Sequence, residues 1–126
     1  MRISVVAVER QRSARYRLVE ELIRRQLARK GGWSHCGAQF GTEPTSLALL
    51  ALFSPPSGSR VTPQDLAQLK AHRQPHGLWP AVGGAAAGGD FWATAMAVNA
   101  LMILGAAPRT LAASLDELLR CRPLEA

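Results

Sequence analysis

One stretch of fourteen residues, Phe91 to Leu104, limits what this chain can fold into. Only Thr94 and Asn99 in it carry polar side chains, and Asp90 stands directly before it. The stretch is shorter than the roughly twenty residues that a helix needs to span a bilayer. A helix that is apolar on every face is normally covered on all sides by protein. The sequence therefore predicts a buried inner helix.

A second stretch, residues 44–53, has the same character, and amphipathic segments precede both. From Tyr16 to Lys30, apolar residues recur at helical spacing. A further one-sided helix is predicted over 63–74, because Thr62, Pro63 and Asp65 have the order of a helix N-cap, a first-turn proline and a first-turn acid. A last helix is predicted from Pro108, with one apolar side made of Leu111, Leu115, Leu118 and Leu119. About five helices and almost no strand are expected.

The order of amphipathic helix, Gly-rich tryptophan loop and apolar helix occurs twice. The first loop contains Gly31 and Trp33, and the second contains Gly77 and Trp79. A shift of forty-nine residues places Thr45 on Thr94 and aligns alanines and leucines of the two apolar helices. A repeat of that length, with two helices per unit, is typical of arrays of helical hairpins that share one core. The apolar helices then form an inner layer, with the amphipathic helices facing water.

Two consecutive segments resemble the Q-x-x-x-G-x-W repeats of squalene-hopene cyclases, other terpene cyclases and prenyltransferases: "RQPHGLWP" and "DFWATAMAVNALMILG". An earlier pair of segments, "KGGWSH" and "TEPTSLALLAL", looks like a second copy of the repeat. The resemblance covers about residues 18–120. It implies an all-α fold, an α/α toroid of which this chain supplies about two and a half of six hairpins. The motif's glutamine is Arg73 in the second copy and Leu27 in the first, so its stacking on tryptophan is not expected here.

The acids and metal ligands of the resembled enzymes are missing. Asp65, Asp90 and Asp116 are isolated from one another, whereas the cyclases protonate their substrates with an aspartate cluster, and no Asp-x-Cys pair is present for zinc. No cofactor, metal site or catalytic residue is predicted. The chain is expected to be an assembly or lipophilic-ligand module. The alternative is a subunit or fragment of a terpene cyclase or prenyltransferase whose catalytic residues lie on another half.

Candidate ligand contacts lie on the inner helix 91–104. Trp92 and Phe91 are at its first turn, where an isoprenoid-like ligand would enter, although core packing is the more ordinary role of such aromatic residues. Met96 offers apolar surface and Asn99 the polar contact. Gly31, Trp33, Gly77 and Trp79 are expected to be structural.

Charge divides the chain into a basic N-terminal segment, 1–14, that need not be ordered, and a repeat domain, 15–126. Residues 1–30 hold nine of the fifteen basic residues, which permits peripheral contact with anionic lipid, while the interspersed glutamates argue against nucleic acid. No export signal is recognised, and Cys36 and Cys121 are distant in sequence, so a cytoplasmic protein with reduced thiols is expected. Because a partial ring leaves apolar surface open, a homodimer or a second toroid half is the predicted partner.

Overall fold

The computed structural model describes residues 4–27, 31–35, 37–53, 59–83 and 88–120. In that part of the chain there are five α-helices and one 3₁₀ turn: α1 (Val5–Arg25), α2 (Thr42–Phe53), α3 (Pro63–Ala71), α4 (Phe91–Ile103), the 3₁₀ turn (Pro108–Leu111) and α5 (Ala112–Arg120). The same residues contain no β-strand beyond two isolated bridges. The predicted all-α fold is confirmed.

Local sequence explains where the helices begin. The hydroxyl of Thr62 accepts a hydrogen bond from the backbone N–H of Asp65, with Pro63 at the first helical position, as the sequence predicts for α3. The Asp90 carboxylate accepts from the N–H of Ala93, which caps α4 in the same way. At the start of α1, Ser4 makes no such side-chain bond.

The largest departure from the expected helix boundaries is in α1. This helix begins at Val5, not at Tyr16, so the described part of segment 1–14 is helical and exposed. Its first buried residue is Val19. In α5, Leu119 is exposed, whereas Leu115 and Leu118 pack against the core. One residue turns a helix by about 100°, and this carries Leu119 off the packed side.

The two apolar helices form one layer. The first turn of α2 hydrogen-bonds to the loop after Trp79, where the Thr42 hydroxyl donates to the Pro80 carbonyl oxygen at 2.5 Å. Trp79 in turn hydrogen-bonds to Thr94 in the first turn of α4. The helices therefore begin at the same end of the molecule, and they pack side by side. Helices α1 and α3 pack against α2, and α5 packs against α4.

Burial is concentrated in this layer, as the sequence predicts. Helices α2 and α4 contain six buried residues each, more than any other described helix. Coverage on all sides, however, was a wrong expectation. The outer helices pack on one side of the layer, whereas side chains on the other sides of α2 and α4, among them Leu47 and Trp92, are exposed in the described part of the chain.

Candidate apolar binding face

The two tryptophan loops make matching contacts. The Trp33 backbone N–H donates to the Thr45 hydroxyl at 2.9 Å, and the Trp79 N–H donates to the Thr94 hydroxyl at 2.8 Å. The indole N–H of Trp33 donates to the carbonyl oxygen of Leu22 in α1, and that of Trp79 donates to the carbonyl oxygen of Leu69 in α3. Each tryptophan thus joins the outer and inner helices of its own hairpin.

Each loop also binds the outer helix that follows it. The Asp65 carboxylate of α3 accepts a hydrogen bond from the Gly32 N–H at 2.8 Å, and the Ser114 hydroxyl of α5 donates to the Gly77 carbonyl oxygen at 2.5 Å. Gly31 and Gly77 both have positive φ angles, and a Cβ on either would lie 3.0 Å from the next outer helix. These glycines therefore permit both the turn and the close approach.

Arg73 contacts the tryptophan of the second loop. Its guanidinium carbon lies 5.7 Å from the centroid of the Trp79 ring, within the range of a cation–π contact. Its Nη1 also donates to the Thr110 carbonyl oxygen at 2.8 Å. Arg73 therefore contacts Trp79 and joins the segment after α3 to the 3₁₀ turn.

The exposed side of the inner layer, which we call the open face, consists of apolar side chains from both inner helices. Helices α1, α3 and α5 pack on the other side of the layer. The open face comprises Leu47 and Ala51 of α2, with the half-buried Leu50 at its edge, and Trp92, Ala95, Met96, Asn99, Met102 and Ile103 of α4. Asn99 is its one polar member, so the face is suited to van der Waals contact.

The predicted ligand residues lie on or beside this open face. Trp92, Met96 and Asn99 follow one another at one-turn spacing along α4 and therefore share a side. Trp92 is 64% exposed, Phe91 is 42% exposed, Asn99 is exposed and Met96 is half-buried. Neither aromatic residue has the core-packing role that is ordinary for its type.

Sequence reasoning missed the contribution of α2 to the open face. Leu47 and Ala51 are exposed, although their helix was expected to be fully covered. The apolar character of this side of α2 was visible in the sequence. The prediction that a partial ring leaves apolar surface open did not say which side chains of α2 form that surface.

None of the three isolated aspartates is a side chain of the open face. Asp65 is fully buried and accepts hydrogen bonds from Gly32, Thr62 and Gln26, and Asp90 caps α4. Asp116 lies exposed on the outer helix α5. Within the described ranges, no three His, Cys, Asp or Glu residues are close enough to hold a metal ion.

Two further observations complete the description of the chain. Cys36 and Cys121 lie outside the described residues. None of the described helices combines the length and the apolar character that a membrane-spanning segment requires.

Comparisons with known proteins identify no relative. No protein-family model matches the chain. Searches of curated proteins and of solved structures gave no match either.

Proposed function

We propose that this chain is a non-catalytic assembly module, built as a partial α/α toroid of the terpene-cyclase and prenyltransferase repeat type, that also binds lipophilic molecules. The observation that carries the proposal is the open face, where large apolar side chains of two parallel inner helices are exposed. Ile103 is 49% exposed and Leu47 is 48% exposed, in addition to Trp92. A contiguous apolar surface of this kind is typical of a binding site.

The chemistry of the open face favours an apolar occupant. Its charged neighbours are few, since the first turn of α2 carries Glu43 and the first turn of α4 carries no acid. A charged metabolite would lose hydration on this surface and gain almost no hydrogen bonds in return. An isoprenoid-like chain would lose little hydration and would gain contact with Trp92, Met96 and the leucines.

A second copy of the chain is the partner that we propose. Two-fold pairing is the commonest closure of identical subunits, and two partial rings placed face to face would enclose both open faces. A lipophilic molecule would then bind between the copies, beside Trp92 and Asn99. The proposal places the protein in the cytoplasm, with the exposed arginines of α1 available for peripheral contact with anionic lipid.

Sedimentation velocity at micromolar concentration tests the pairing. We expect a dimer for the natural chain and dissociation of Ile103→Ser, because this change places a hydroxyl in the apolar contact. Leu119→Ser is the matched control, since Leu119 is an exposed leucine on α5, away from the open face. A natural chain that stays monomeric, or equal effects of the two substitutions, would contradict the pairing.

Farnesol, added while the indole N–H signals are followed by NMR, tests the lipophilic site. We expect the Trp92 signal to shift, because Trp92 is exposed on the open face, and the Trp33 signal to stay, because Trp33 is buried between α1 and the first turn of α2. If farnesol leaves the Trp92 signal unchanged, the lipophilic part of the proposal fails. If terpene cyclisation or prenyl transfer appears only when a second, acid-bearing chain is added, the protein is instead a subunit of such an enzyme.

A further inference from the structure

We propose a second binding site, on the outer side of the molecule, for an organic anion that carries its charge on an apolar body. The site is a cavity of about 370 Å³ between the end of α3, the end of α4 and the 3₁₀ turn. This volume lies within the range of small-molecule sites in proteins. The residues that line the cavity include Lys70, Arg73, Trp79, Leu101, Thr110 and Leu111.

The floor of the cavity is apolar and fixed. Trp79 is fully buried, and Leu101 and Leu111 are nearly so. The indole N–H of Trp79 is bonded to the Leu69 carbonyl oxygen at 2.6 Å, and this bond holds the ring in place. An apolar group that enters the cavity therefore meets a preformed surface and does not have to order it.

The rim of the cavity is positively charged. Lys70 is exposed and Arg73 is half-buried, and no acidic residue lines the cavity. In the described part of the chain, neither of the two forms an ion pair. The Nε of Arg73 is buried and lacks a hydrogen-bond acceptor among the described residues. Buried polar atoms are normally paired, so an anion at this position would supply an acceptor and balance the charge.

The first repeat shows that packing of the loop does not require this charge. The residue six positions before Trp33 is Leu27, and the residue six positions before Trp79 is Arg73. Leu27 packs as a half-buried apolar side chain against the core, and its loop makes the same backbone bonds as the second loop. The positive charge at position 73 is therefore an addition to the repeat, and its contacts with Trp79 and the Thr110 carbonyl oxygen leave that charge without an acidic partner, which an anion would supply.

Octanoate is a suitable probe because it joins a carboxylate to a short apolar chain, and 1-octanol and octylammonium are its neutral and cationic counterparts. We expect octanoate, below its micellar concentration, to shift the indole signal of Trp79 and to leave those of Trp33 and Trp92 unchanged. Octanol and octylammonium should bind at least about tenfold more weakly, since hydrogen bonds to charged groups contribute roughly 1.5–3 kcal/mol.

Two substitutions test the role of the charges. Lys70→Gln and Arg73→Gln should each weaken octanoate binding several-fold or more, whereas Arg17→Gln, an exposed arginine on α1, should leave it unchanged. Lys70 is exposed, so its variant keeps the test decisive if Arg73→Gln lowers stability. Equal binding of octanol, equal affinity of the Lys70 variant, or a shift at Trp92 in place of Trp79 would each overturn the site. The last result would leave the lipophilic open face standing.

Discussion

Asp65→Ala is the substitution that we expect to damage this fold most through a single polar group. Its carboxylate is fully buried and accepts three hydrogen bonds, from the Gly32 N–H at 2.8 Å, from the Thr62 hydroxyl at 2.6 Å and from the Gln26 side-chain amide. Gly32 is also buried, and its N–H is left without an acceptor when the carboxylate is removed. The change therefore separates the first tryptophan loop from α3.

The size of the loss follows from how well water can replace each bond. A hydrogen bond to a carboxylate contributes roughly 1.5–3 kcal/mol, and the Gly32 bond is the one that water cannot replace. Thr62 is exposed and Gln26 is half-buried, so each of those bonds should contribute about 0.5–1 kcal/mol. We expect Asp65→Ala to lower the free energy of unfolding by about 2.5–5 kcal/mol, a large part of the 5–15 kcal/mol typical of a small domain.

Urea unfolding followed by circular dichroism at 222 nm measures this loss. Ser114→Ala removes the corresponding bond in the second repeat, and since that bond joins two neutral groups, the expected loss is about 1 kcal/mol. Asp116→Ala removes an exposed acid and should change the free energy by no more than about 0.5 kcal/mol. A loss below about 1 kcal/mol for Asp65→Ala, or one no larger than that of Ser114→Ala, would refute the reasoning.

Two further predictions concern the second loop and can be read from thermal unfolding. Gly77→Ala should lower the free energy of unfolding by about 1–3 kcal/mol, because Gly77 has a φ of 96° and its added Cβ would lie 3.0 Å from the next helix. Gly88→Ala is the control and should cost little, because a Cβ there meets nothing within 4 Å. Thr94→Val should cost about 1–3 kcal/mol, because it leaves the buried Trp79 N–H without an acceptor, and Thr45→Val should cost about the same in the first repeat. Unequal losses for the two threonines would count against equivalent loops.

Much of the fold could be predicted from local patterns. The N-cap of α3 depends on side chains within three residues, and helical periodicity depends on neighbouring turns. Both can therefore be predicted from short stretches of sequence. The start of α1 could not be predicted in this way. Ser4 makes no side-chain cap, and the residues from Val5 to Leu18 are exposed, so neither a cap nor a buried side marks the beginning of the helix.

The open face shows a different limit of sequence reasoning. An all-apolar pattern indicates that a helix can be covered on every side, but it does not say whether the cover comes from the same chain or from another molecule. Arg73 shows a third limit. Its departure from the repeat motif was visible, but only the structure shows that an arginine can contact Trp79 where the motif has glutamine.

The bonds from each loop to the following outer helix have a consequence for hydrogen exchange. The Gly32 amide donates to Asp65 of the next hairpin, so its proton is protected by a residue that is thirty-three positions away. It can exchange only when the two hairpins separate. Slow exchange at Gly32 would therefore report the opening of the boundary between hairpins, and similar rates at Gly32 and Trp79 would indicate that the repeats open as one cooperative unit.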